Sequence, residues 1–195
     1  MNKSESKYLN TAKLMNTALV ELLNKKDYEF ITIKEICAKA GVSRSTFYLH
    51  YDTVDDLLEE CIENQNKDFL AYFSQNVENF VAKIDTCPMD ELVFITPQYL
   101  TPYLQYIKEN SKIHLASVKH PYIMNAGRKS ESLYKYVFRP IFRRFGVDES
   151  TDKYIMTYYI NGVVSIINEW IKGGCVDSIE YIEDIIISCI RPYAK

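Results

Sequence analysis

The stretch Thr32-Ile33-Lys34-Glu35-Ile36-Cys37-Ala38-Lys39-Ala40-Gly41-Val42-Ser43-Arg44-Ser45-Thr46-Phe47-Tyr48-Leu49-His50-Tyr51 decides the fold. Thr32 stands where an N-cap would, and Glu35 three residues on completes a capping box, so a helix of about two turns is expected over Ile33 to Ala40. Gly41 fits the left-handed position that ends such a helix, and Ser43 is placed to cap another that starts at Arg44. Two short helices joined by a tight turn containing glycine make a helix-turn-helix, in which the second helix enters a major groove and the first crosses the backbone. Ile33, Ile36, Ala40, Val42, Phe47 and Tyr51 are the expected small core. On the other face, Arg44, Ser45 and Thr46 are short or polar enough to approach base edges, with Arg44 suited to guanine and the Thr46 methyl to thymine. Thr32, Lys34, Ser43, Tyr48 and His50 lie where phosphates would pass, and such contacts set register rather than sequence.

Working outward, almost every segment reads as helix. From Tyr8 to Asn24, Leu9, Ala12, Leu14, Met15, Ala18, Leu19, Leu22 and Leu23 recur at helical spacing without Gly or Pro. Thr53 repeats the capping device with Asp56, and a long helix is expected from there to about Lys83. Cys87-Pro88 breaks it. Pro97 and Pro102 predict a kinked helix or a helix–loop–helix. A short helix is expected over Ile113 to Val118. Another, from Ser130 to Phe145, is bent at Pro140 and stopped by Gly146. The last two, Tyr154 to Ile171 and Ile179 to Ile190, carry apolar faces wider than one packing partner requires. The expected class is all-α: a three-helix helix-turn-helix domain joined by a long helix to a larger helical domain.

At 195 residues the chain has room for one compact domain, or for a small module on a larger one. An apolar share of 47% with 25% charged residues suits a buried core. The mean hydropathy is −0.20, and no apolar run of about 18 residues reads as a spanning helix. The opening MNKSESKYLN lacks the apolar stretch of a signal peptide, so a cytoplasmic location without membrane attachment is expected. Cys37, Cys61, Cys87, Cys175 and Cys189 have long, irregular spacings that fit neither a disulfide framework nor a zinc site, and they read as reduced, mostly buried thiols. The net charge is −3, but residues 1–51 hold eight bases against five acids, and the acids Asp52, Asp55, Asp56, Glu59, Glu60 and Glu63 follow at once. The basic character is local, and a solvated helix face is its bland explanation.

A helix-turn-helix shape also occurs in unrelated bundles, whereas the full string T-I-x-x-I-x-x-x-A-G-V-S-x-x-T-F-Y-x-H-Y is far more specific. Lying after one amphipathic helix and before a capped long one, it resembles the N-terminal domain of TetR-family transcriptional regulators over roughly Tyr8 to Ile62. The resemblance implies a DNA-binding domain over 1–52, a ligand-binding and dimerisation domain over 53–195, and DNA contacts from Thr32, Lys34, Ser43, Arg44, Ser45, Thr46, Tyr48 and His50. One position departs from it: family members commonly carry Lys in the first turn of the fourth helix, and here that position is Val54. Amides at this helix start remain candidates for a phosphate, opposed by Asp55 and Asp56. A weaker resemblance to the family's C-terminal domains rests on Tyr158-Tyr159-Ile160-Asn161-Gly162 and Glu169-Trp170-Ile171-Lys172-Gly173-Gly174. It implies a homodimer through the last two helices, for which Tyr159, Val163, Ile166, Trp170, Ile182, Ile186 and Ile190 are the candidate interface. Broad Ile-rich faces agree with that reading, and their alternative is the core of a single chain.

Of the 16 tyrosines, 12 fall after residue 60, joined by Phe94, Phe138, Phe142 and Trp170. Aromatic bodies with polar tips suit a mostly apolar effector pocket, with Thr96 to Tyr103 as its rim and Tyr99, Tyr103, Tyr122, Tyr134, Tyr158 and Asn161 as lining; for any single Tyr, core is the alternative. His114 and His120 have no partners at metal-ligand spacing, so neither a metal nor a cofactor is expected. The bases Arg128, Lys129, Lys135, Arg139, Arg143 and Arg144 suit either an anionic ligand or a solvated face. Cys37 suits redox sensing or, better by its spacing, a small buried apolar role. No G-x-S-x-G, G-x-x-x-x-G-K or H-E-x-x-H motif points to an enzyme. The expected function is a dimeric repressor released from a palindromic double-stranded DNA operator by a small molecule. The alternative is an adaptor or coactivator of the same fold that docks another regulator.

Overall fold

The computed structural model describes residues 3–81, 86, 97–124, 139–144, 146 and 148–190. They are helical, with no strand among them. Helices α1 (Lys3–Leu23), α2 (Ile33–Ala40) and α3 (Arg44–Tyr48) form the N-terminal unit, with a 3-10 turn over Tyr28–Phe30. The long α4 (Val54–Val81) leads to α5 (Pro97–Glu109) and α6 (Ser111–Lys119), followed by α7 (Arg139–Arg144), α8 (Glu149–Lys172) and α9 (Ile179–Ile190). No described helix is long and apolar enough to cross a membrane.

Two cores hold these elements. In the first, Met15, Leu19 and Leu23 of α1 pack on Ile36, Phe47, Tyr51 and Leu57, and Ile33, Ala40 and Val42 cover its edge. All six residues expected to fix the helix pair are therefore in or against this core. It also takes in Ala116 of α6 and the fully buried Met124 just beyond it. A second link between the halves is polar: Gln65 of α4, almost wholly buried, donates to Ser117 Oγ at 3.2 Å.

The second core joins α5, α8 and α9 through Leu100, Leu104, Ile107, Ile167, Trp170, Ile182 and Ile186. Of the two arrangements expected at Pro97 and Pro102, a kinked helix or a helix–loop–helix, the second is not formed between the two prolines. Pro97 is the first residue of α5, where a missing amide is harmless, and Pro102 sits inside a helix that runs through it. Leu100, Leu104 and Ile107 thereby share one stripe, and Trp170, Ile182 and Ile186 are buried against it. This corrects their assignment to a subunit interface: they fill the protomer's own core, and Trp170 Nε1 donates internally to the Asp177 carbonyl at 3.1 Å. Val163 and Ile166 are partly buried at the edge of this core, and Tyr159 is more exposed. The side chain of Ile190 lies outside the described residues.

Candidate nucleic-acid interface

The helix-turn-helix is closed by the contacts its sequence predicts. Glu35 N donates to Thr32 Oγ1 at 3.4 Å and Thr32 N to Glu35 Oε2 at 3.1 Å, completing the capping box. The Thr32 hydroxyl also donates to Glu35 at 2.8 Å, so its proton is already committed. Lys26 Nζ reaches Glu35 at 2.6 Å and the Phe30 carbonyl at 2.6 Å, tying the preceding turn to α2. This ammonium, with the Thr32 donors, lowers the Glu35 carboxyl from its usual 4.5 to about 2. Gly41 ends α2 at φ +69°, a conformation in which a Cβ is strained even though open space surrounds it. Its amide and that of Val42 both reach the Cys37 carbonyl.

Ser43 starts α3 by accepting from Thr46 N at 3.0 Å, and its hydroxyl lies 2.8 Å from those of Ser45 and Thr46. Three hydroxyls thus form one cluster at the tip of the helix. Phe47 is wholly buried and anchors α3 from behind, while Arg44, Ser45, Tyr48 and the preceding helix's Lys34 are exposed. Buried Cys37 lies with Sγ 3.7 Å from the Ser43 carbonyl; its burial raises the thiol's pKa, as suits a packed side chain. His50 stacks on Tyr8 of α1 with ring centroids 3.8 Å apart, and next to it Tyr51 donates to Glu60 Oε2 at 3.0 Å. Neither Tyr8 nor Leu49, which is 76% exposed at the end of α3, is among the site residues expected from the sequence. An exposed leucine beside a candidate reading helix was a visible signal, whereas the Tyr8 contact spans two elements and leaves no local pattern.

The start of α4 is closed by its own carboxylate. Asp56 Oδ2 accepts from Asp52 N at 3.0 Å and Thr53 N at 2.8 Å, and Asp56 N donates to Thr53 Oγ1 at 3.2 Å. Asp55 accepts from the Tyr28 hydroxyl. These acids are engaged internally, and a phosphate here would compete with Asp56 for the amides of Asp52 and Thr53.

Among the described residues, those expected to line an effector pocket are not gathered in one place. Tyr122 is 94% exposed in the turn after α6, Tyr158 is 73% exposed on α8, and Asn161 is exposed too. Their helical or turn positions point them to solvent, which corrects their placement in a pocket. Tyr103 is partly buried, close enough to Tyr72 and Tyr106 to feel their hydroxyls, and burial pushes its own hydroxyl up to about 12. Tyr134 and three of the six bases, Arg128, Lys129 and Lys135, lie outside the described residues, as does the side chain of Tyr99. A cleft of about 660 Å³ opens elsewhere, between α1, α4, α5 and α6, with Asn16, Glu60, Gln65, Tyr106 and Lys112 in its lining.

The geometry defines a helix-turn-helix protein with a helical second half, and comparison with known proteins gives the family. A family model described as bacterial regulatory proteins, tetR family, matches residues 17–61, and one described as a transcriptional regulator C-terminal region matches residues 96–192. The chain belongs to the TetR family and is a DNA-binding transcriptional regulator. It is 42% identical over 50 residues to an uncharacterised HTH-type transcriptional regulator, YxbF, of Bacillus subtilis strain 168, a match that spans 26% of this chain and 13% of that protein. The fold is like that of the dihydroxyacetone kinase operon activator DhaS, with a TM-score of 0.52 and 17% identity over 92% of this chain and 93% of that one.

Proposed function

We propose that the protein is a dimeric repressor whose α3 reads a palindromic operator and whose residues 53–195 bind the small molecule that releases it; it is not an enzyme. The observation that carries this reading is the construction of α3. A buried Phe47 fixes the helix from one side while Arg44 and Ser45 are exposed on the other, beside the hydroxyl cluster of Ser43, Ser45 and Thr46. Arginine at the start of a recognition helix suits the paired acceptors of guanine. Lys34, Tyr48 and His50 supply backbone contacts around it. Dimerisation uses the exposed side of α8, where Tyr158 and Tyr159 stand, rather than the buried Trp170, Ile182 and Ile186.

Release is transmitted by α6, which packs on α1 on one side and on α5 and α8 on the other. Lys119 Nζ donates to the Asn24 carbonyl at 2.5 Å, His120 Nε2 lies 2.8 Å from the Leu23 carbonyl, and Lys112 pairs with Glu21 at 3.1 Å. These contacts occupy the Leu23 and Asn24 carbonyls and the Glu21 carboxylate at the end of α1, and Met124 and Ala116 enter the core that also holds Phe47. An effector that shifts α6 therefore shifts the recognition helix, a rigid-body coupling between two sites.

A second reading, an adaptor that docks another regulator, is favoured by the closed start of α4 and by Val54. Selection of the purified protein on a randomised duplex library, with titration of the winner at several salt concentrations, separates the two. Enrichment of a palindrome with a steep salt slope supports the repressor reading; no enrichment, with a partner protein captured instead, supports the adaptor.

A further inference from the structure

We propose that Tyr8 is a positioning residue of the DNA interface: its ring, stacked on His50 at 3.8 Å between centroids and 21° between planes, sets the imidazole so that Nε2 is the nitrogen offered to a backbone phosphate. The inference rests on the reading of α3 as the recognition helix. Tyr8 is not a core residue, since 49% of it is exposed, yet it lays its ring on a side chain just past the end of α3. His50 Nδ1 is buried and has no hydrogen-bond partner. The ring is thus oriented by contact with aromatic faces, Tyr8 on one side and Tyr51 at 5.8 Å, and not by a polar anchor on Nδ1. Burial favours the neutral imidazole, against the pull of the Glu60 carboxylate. With Nδ1 enclosed where no acceptor meets it, the proton of the neutral ring belongs on Nε2, which makes that nitrogen a donor, as a phosphate oxygen requires. Tyr8 therefore fixes direction in a contact that His50 makes.

The test uses the full-length protein, the duplex enriched in the selection above, and proton NMR of the imidazoles, of which the chain has three. Tyr8→Leu is expected to weaken operator binding about five- to tenfold, the order of one aromatic contact plus a misdirected hydrogen bond. It is also expected to move the His50 ring protons downfield as the ring current is lost, and Tyr8→Phe should restore both. Adding Tyr8→Leu to His50→Ala should cost nothing more. Wild-type affinity in Tyr8→Leu, or full additivity with His50→Ala, overturns the inference while Arg44→Ala still lowers sequence preference. Undiminished sequence preference in Arg44→Ala overturns the recognition-helix reading beneath it.

Discussion

The N-terminal unit and the second core are both built from amphipathic helices, but different information places their residues. In the N-terminal unit, both ends of α2 and the starts of α3 and α4 are set within about four residues by a cap or a glycine: Thr32 with Glu35, Gly41, Ser43 with Thr46, Thr53 with Asp56. Once the ends are fixed, the helical period decides which side chains face inward, and Phe47 is buried while Arg44 is not. In the second core the helices are just as regular, but which face is inward depends on a partner far along the chain. The stripe Leu100, Leu104 and Ile107 takes up Trp170, Ile182 and Ile186, and that stripe exists only because α5 continues through Pro102. Local signals thus place single residues, whereas apolar width alone says only that something covers a face.

The strongest way to break this comparison is Phe47→Ala. It removes a wholly buried ring at the junction of α1, α3 and α4, and is expected to cost about 3–5 kcal/mol of stability, read by denaturant titration, with operator binding lost as well. A loss of binding at unchanged stability would mean that the ring serves DNA and not the core. Ile186→Ala follows, at about 2–5 kcal/mol. The expected outcome is a lower unfolding midpoint while the native assembly state, measured by sedimentation, stays as in the wild type. Dissociation without destabilisation would return Ile186 to the subunit interface.

A smaller effect sharpens the local half of the comparison. The folded Glu35 value of about 2 lies below the usual 4.5, so its contribution is complete above about pH 4.5 and is lost as the pH falls toward 2. Glu35→Gln should flatten that part of the stability profile, measured by thermal unfolding across the acid range. Parallel profiles for variant and wild type would show that the Lys26–Glu35–Thr32 contacts do not stabilise the start of α2.

How much was legible follows from the same contrast. The helix order, the end of α2 at Gly41, the span of α9 and the six-residue core of the helix-turn-helix are all encoded in neighbouring residues. The exposure of Arg44, Ser45 and Lys34 followed from that core by elimination. Less local features were not legible. Tyr122 and Tyr158 have the composition of pocket residues, but exposure is decided by the rest of the fold. Tyr8 meets His50 only because α1 folds back across the end of α3, and His120 reaches the Leu23 carbonyl only because α6 lies on α1. Asp56 was visible as a capping residue; that it also takes the Asp52 amide depends on the bend of the chain before α4.

The central claim is that α3 reads bases through Arg44, and its most direct test is the affinity of wild type and Arg44→Ala for the enriched duplex and for random duplex at the same salt. The account predicts that Arg44→Ala loses about 1–3 kcal/mol on the enriched duplex and much less on random DNA, so that the ratio of the two affinities falls. Equal losses on both duplexes would contradict it and make Arg44 a phosphate contact.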